Sequence, residues 1–218
     1  MSDDLRDLLA KAKGVAAAAR ILRLDELASP TEHERWGLDA MRGRVVELSA
    51  RGASATLTTA VELVLEAQRA AEPVAWVTLS NATFYPPDVA ESGVDLAALV
   101  VVRVRDTTSA ARSAEQLLRS GAFGLIVLDF GGGGEVEVPL AHLGRLVTLA
   151  QTHDAAVVCI TKKANDTQSL GSLISLRAEA LRLRDGDRGY EVALRVLKDK
   201  RRGPGWTRTL KRRGPAGF

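Results

Sequence analysis

Five short, β-rich apolar runs are separated by segments of helical spacing, and this alternation limits the fold more than any other feature of the chain. The runs are Arg44 to Leu48, Pro73 to Leu79, Leu99 to Val104, Leu125 to Leu128 and Ala155 to Ile160. Thr58 to Ala70 sets Ala60, Leu63, Val64 and Ala67 on one face, which predicts a helix. Ser109 to Ser120 predicts a second, through Ala110, Ala114, Leu117 and Leu118 and with Gly121 to close it, and Leu140 to Thr152 a third. The stretch around Pro86 and Pro87 reads as irregular and Gly131 to Gly134 as loop. Leu125 to Asp129 has the continuous apolar character of a strand covered on both faces. Leu173 to Arg184 and Tyr190 to Leu197 read as late antiparallel strands with a turn at Asp185-Gly186-Asp187. Strands alternating with helices predict an α/β fold with a mostly parallel sheet flanked by helices.

The 218 residues, 46% hydrophobic and 26% charged, suit one domain with a sizeable core and exclude a disordered or fibrous chain. The longest apolar runs, such as Gly124 to Phe130, fall far short of the roughly 20 residues that cross a bilayer. Met1-Ser2-Asp3-Asp4 is acidic where a secretory signal is basic, so a cytoplasmic protein without a membrane partner is expected. Cys159, the only cysteine, lies inside an apolar run and reads as a buried, inert thiol. His33, His142 and His153 are scattered, and neither a metal site nor a cofactor is expected. The net charge of +3 is unevenly spread: from Arg195 to Phe218 nine basic residues face Asp199 alone, a net +8 that leaves the other 194 residues near −5. The expected layout is an N-terminal helix-and-strand arm (1–27), a core (28–200) and a flexible basic tail (201–218) suited to phosphates or an acidic protein surface.

The loop between the first strand and the first helix is where an α/β nucleotide-binding protein carries its phosphate loop, with glycines, a lysine and a magnesium-binding hydroxyl. Here it reads Ser49-Ala50-Arg51-Gly52-Ala53-Ser54-Ala55-Thr56-Leu57-Thr58-Thr59, without a lysine. Its frame, Gly43-Arg44-Val45-Val46-Glu47-Leu48 before and Thr58 after, resembles the bacterial RecA recombinases. The resemblance sets Ala50 and Ala55 in place of glycines, Thr56 in place of the lysine and Leu57 in place of the hydroxyl, and so implies a lost ATPase site and no enzyme. It continues through Gly93-Val94-Asp95, which puts Asn81 where the family holds the water-activating glutamate. Leu117-Leu118-Arg119-Ser120-Gly121-Ala122 leads into Leu125 to Asp129, with Asp129 as the retained Walker B aspartate. That carboxylate is either a metal ligand or a capped strand end. Ala178 to Arg184 and Arg195-Val196-Leu197-Lys198-Asp199-Lys200 resemble the family's final strands.

The two loops that bind DNA in RecA are shortened here, to Gly131–Pro139 and Thr161–Leu170. Lys162 and Lys163 are either phosphate contacts or a solvated strand end. A RecA-like core with a ruined phosphate loop, short loops and an arginine-rich tail is similar to the ImuA family, accessory subunits of the bacterial mutagenesis cassette. This likeness implies an adaptor in SOS-induced translesion synthesis, at the nucleoid during DNA damage, with RecA and the polymerase-like ImuB as partners. By analogy with RecA's N-terminal helix and strand, Leu5, Leu8, Leu9, Ile21 and Leu22 are expected to dock on a neighbour, or else to pack on their own core. In RecA filaments the pair equivalent to Lys198 and Lys200 reaches the ATP of the adjacent protomer, so these two are expected either to contact RecA in that way or to be an ordinary surface pair. Trp206 either anchors a partner or base, or folds the tail back onto the core. A nucleic-acid reading assigns Arg201, Arg202, Arg208, Lys211, Arg212 and Arg213 to single-stranded DNA.

Overall fold

The computed structural model describes residues 36–82, 84–132, 136–185 and 189–213, and of Asp185, Arg212 and Arg213 the backbone alone. Leu5, Leu8, Leu9, Ile21 and Leu22 lie outside the described residues. The elements are α1 (Leu38–Met41), β1 (Arg44–Ser49), α2 (Thr56–Arg69), β2 (Val74–Leu79), α3 (Pro86–Glu91), a 3₁₀ turn (Leu96–Ala98), β3 (Leu99–Val104), α4 (Thr107–Arg119), β4 (Leu125–Asp129), α5 (Leu140–Thr152), β5 (Ala156–Thr161), β6 (Leu176–Asp185), β7 (Gly189–Asp199) and β8 (Thr207–Arg213). The eight strands form one sheet in the order β3-β2-β4-β5-β1-β6-β7-β8. The pairs from β3 to β6 are parallel, and β6-β7-β8 is an antiparallel meander.

Side chains alternate across a pleated strand, and in β1, β2, β4 and β5 both faces are dry. Val46, Leu48, Trp76, Val127 and Val158 pack on one side with Leu63, Val64 and Ala67 of α2. Val45, Ala75, Val77, Ile126, Leu128, Val157 and Cys159 pack on the other with Ala110, Ala114 and Leu118 of α4 and Leu143 and Leu146 of α5. This double cover explains the unbroken apolar runs in the sequence. Trp36 is buried beside Leu38 and Met41, and Trp76 lies against Phe84 with ring centroids 5.2 Å apart. The Cys159 thiol is fully buried, which pushes its pKa up. No helix among the described residues is long and apolar enough to cross a membrane.

Three expectations are corrected. The stretch at Pro86 and Pro87 is the short helix α3, because proline is well placed in a first helical turn. Helix α4 starts two residues before Ser109, where the Asp106 carboxylate accepts the Ser109 amide at 2.7 Å and caps the turn. The basic end is not a free tail throughout: Thr207 to Arg213 is β8, paired residue by residue with β7 from Arg195↔Thr207 to Gly189↔Arg213.

Candidate functional site

At the C-terminal ends of β1, β4 and β5, the first residues of α2 close a cleft of about 250 Å³. Ala50, Gly52, Ser54, Thr56, Leu57, Asp129, Gly131, Ile160, Thr161 and Lys162 line it. Parallel pairing puts these groups together: Leu48 lies opposite Ile160 on one side of β5, and Asp129 opposite Ile160 on the other. The loop before α2 is pinned to β6, where Ala55 N donates to Ala180 O at 2.9 Å and Arg182 N to Ala53 O at 2.8 Å. Gly52 supplies the left-handed turn, with φ +85°.

The cleft is short of cationic side chains. Ala50, Ala55 and Thr56 are buried, while Leu57 turns an apolar side chain outward, 37% exposed. The Ser54 and Thr56 hydroxyls bond each other at 2.9 Å, and the Thr56 amide donates to Ser54 Oγ at 3.2 Å. Asp129 is buried and capped: Gly131 N donates to Oδ1 at 2.9 Å and Thr78 Oγ1 to Oδ2 at 3.2 Å. Burial dominates over these bonds and raises its pKa. Asn81 is exposed and is not among the lining residues; its Oδ1 lies so close to Gly132 that a Cβ there would stand 2.5 Å away. Lys162 is exposed at the cleft wall.

Beside the cleft lies a charge network that sequence reading missed. Glu47 is wholly buried on β1, accepts from Thr161 Oγ1 at 2.8 Å and from the Leu170 amide at 2.9 Å, and pairs with Lys163 Nζ at 3.2 Å. Arg177, on neighbouring β6, is 3.9 Å from Glu47 and donates to Ser49 Oγ and to the carbonyls of Ala164 and Thr167. Together they fold the segment after β5 back against the sheet. Lys163 therefore serves an interior carboxylate and the Gln168 carbonyl, rather than standing as a free phosphate contact. Lys198 and Lys200 converge on one acceptor in the same segment, the Ser172 carbonyl, at 3.5 and 2.6 Å. Burial and the neighbouring Lys200 charge lower the pKa of Lys198.

Trp206 is half-buried against the core, so of the two expectations for it the fold-back is the one found. Arg208 donates to the Trp36 carbonyl at 3.4 Å, and Arg201 and Arg202 are exposed in the turn before β8. A second cluster that sequence reading missed joins α4 to α5: Glu115 Oε1 is 2.5 Å from His142 Nδ1, and Oε2 accepts from Arg145 Nε at 2.9 Å. Among the described residues, no group of three His, Cys, Asp or Glu side chains is placed to hold a metal ion.

No protein-family model matches the chain. It is similar to the RecA proteins of several bacteria. It is 42% identical to that of a Nocardioides species over 121 residues, covering 50% of this chain and 34% of the relative. It is 39% identical to that of Corynebacterium jeikeium over 89 residues, 40% of this chain and 23% of the relative. The RecA of Ruminococcus albus matches at 27% over 132 residues, 58% of this chain and 33% of the relative. The chain thus spans about a third or less of the length of these curated relatives. These partial matches support a RecA-like relationship over part of the chain, and the eight-stranded, mostly parallel sheet flanked by helices is consistent with a RecA-like α/β core.

Proposed function

We propose that the chain is a non-catalytic RecA-like adaptor of the ImuA type, which binds RecA, ImuB or both in DNA-damage-induced translesion synthesis and caps RecA filaments. The observation that carries this reading is the composition of the cleft, whose donors do not fit a magnesium-bound triphosphate. Leu57 offers an isobutyl group where a metal needs a hydroxyl, and the loop has no lysine. The Asp129 oxygens are already engaged by Thr78 and Gly131, and burial favours their protonated form. No step of nucleotide hydrolysis is assigned to these residues.

The capping role is supported by what the chain keeps. Lys198 and Lys200 stand together at the end of β7 and share a single carbonyl, an arrangement that leaves two ammonium groups in want of an anion. Docked on a nucleotide-loaded RecA end, they would meet its phosphates, while this chain's own cleft would offer the next subunit none. RecA filaments assembled with a non-hydrolysable ATP analogue are therefore expected to shorten in electron micrographs as this chain is added. The isolated chain is expected neither to bind nor to hydrolyse ATP with magnesium. Micromolar ATP binding, or filaments of unchanged length, would overturn the reading.

A further inference from the structure

We propose that the outer edge of β8 is a docking site for an acidic, extended segment of a partner protein, taken up as a ninth strand of the sheet. β8 ends the strand order, and among the described residues nothing pairs with its outer side. Val196 N donates to Trp206 O at 3.0 Å, which fixes the phase of the β7-β8 ladder. Backbone groups alternate in direction along an antiparallel strand. Arg208, Leu210 and Arg212 therefore bond to β7, while Thr207, Thr209, Lys211 and Arg213 turn their N–H and C=O groups outward. Such a row of open groups is a template for an added strand.

The charge of the edge selects the occupant. Between Arg201 and Arg213 there are six basic residues and no acidic one. The Arg208 guanidinium has no carboxylate partner among the described residues; its one hydrogen bond is to the Trp36 carbonyl at 3.4 Å, and its Nε is buried without a partner. Lys211 is 76% exposed at its side chain and 3.8 Å from Glu191. Charges on an edge strand ordinarily ward off any added strand, but charges of one sign ward off only their like. A second copy pairing β8 against β8 would set basic residues near one another, which is unfavourable, whereas an acidic strand would meet opposite charge from the four basic residues among the seven of β8. The opposite edge of the sheet differs: β3 exposes Val100 and Val101, so the two edges suit partners of different chemistry.

The alternation also argues against nucleic acid. Thr207, Thr209 and Lys211 face one side of the sheet with exposed side chains, while Arg208 and Leu210 face the other, half-buried. A phosphate backbone can accept from outward amides but has no donor for the outward carbonyls, whereas an added peptide strand satisfies both. The proposal stands on the ladder and the charges of β8, and holds whether or not the chain meets RecA.

The test uses the full chain and three fluorescent probes: a peptide of alternating glutamate and valine, its lysine-valine counterpart, and oligothymidylate. Anisotropy is expected to show binding of the glutamate peptide and not of the lysine one. Thr209→Pro keeps every charge but removes an outward amide and obstructs the edge, and is expected to weaken that binding about tenfold, the worth of one or two backbone hydrogen bonds. In the wild-type chain the peptide is expected to protect the Thr207, Thr209 and Lys211 amides from hydrogen exchange, a readout that stands even if the proline variant misfolds. No binding of the glutamate peptide, or binding that leaves those amides unprotected, would overturn the proposal. Oligothymidylate binding with no protection by the peptide would reassign the edge to nucleic acid.

Discussion

Arg44 and Asp199 meet at 2.6 Å in the interior, with side chains only 2% and 1% exposed, and tie the first residue of β1 to the last of β7. The guanidinium also donates to the Ser175 hydroxyl and carbonyl, each at 2.9 Å, and to the Ala40 carbonyl at 3.2 Å. Burial is the larger influence on Arg44 and lowers its pKa, with the Asp199 bond opposing it. Removing one partner of such a pair leaves a charge stranded in a dry interior. Asp199→Ala is therefore expected to cost about 3–5 kcal/mol in urea denaturation. A loss under about 1 kcal/mol would show that water reaches the pair.

Glu47→Gln tests the network that folds back the segment after β5. The variant keeps the shape of the side chain but leaves Lys163 and Arg177 without their shared carboxylate. Amides between 162 and 172 are expected to lose hydrogen-exchange protection, with those of β4 unchanged, and the protein to lose about 3 kcal/mol. Equal protection in both proteins would mean that Arg177 holds the segment unaided, through the Ala164 and Thr167 carbonyls.

Two buried carboxylates shift in opposite directions, so their effects on stability have opposite signs. Burial raises the pKa of Asp129, so folding disfavours its charge. Its penalty is fully present above the raised folded value and relieved as pH falls through it towards the unfolded value of about 3.9. Asp129→Asn is expected to raise Tm at pH 7, by an amount that shrinks towards pH 4. Burial also pushes Glu115 upward, but the bonds from Arg145 and His142 outweigh it and its pKa ends below the ordinary value. Its contribution is present above the unfolded value of about 4.3 and lost as pH falls through the folded one. Glu115→Gln is expected to lower Tm at pH 7 and to matter least in acid. Thermal scans of both variants between pH 3 and pH 7 would show the two trends diverge, and parallel trends would contradict the assignment.

The sheet was legible wherever a run is buried on both faces. β1, β2, β4 and β5 fall within a residue or so of their apolar runs because both of their faces are buried, the edge strand β3 is apolar enough to read as a strand although Val100 and Val101 are exposed, and α5 spans the expected residues. β8 was hidden because a half-solvated edge strand need not be apolar, and Arg208, Lys211, Arg212 and Arg213 read as a solvated arm. The place of Ala50, Thr56 and Leu57 at the cleft followed from strand-loop-helix order, and that of Asp129 from the resemblance to RecA. Glu47 had no such signal. Its partners Thr161 and Leu170 lie 114 and 123 residues away, and only the β1-β5 register brings them together. The Glu115–His142 contact was equally silent, since its partners lie 27 residues apart on different helices.

The lysine pair connects the fold to the proposed role. Lys200 is held by the Ser172 carbonyl at 2.6 Å, so meeting a phosphate on a neighbour requires it to exchange that carbonyl for a charged oxygen, a stronger acceptor. Lys198→Ala with Lys200→Ala is expected to weaken RecA binding about tenfold or more in the ATP state, while leaving the melting temperature within a few degrees. Binding that is unchanged would remove the pair from the interface.

The most direct measurement is size-exclusion chromatography with light scattering on this chain and its host RecA, with and without a non-hydrolysable ATP analogue. A complex is expected that forms only with the analogue, is smaller than RecA filaments alone, and is lost with the double lysine variant. Absence of a complex in both states would contradict the proposed role.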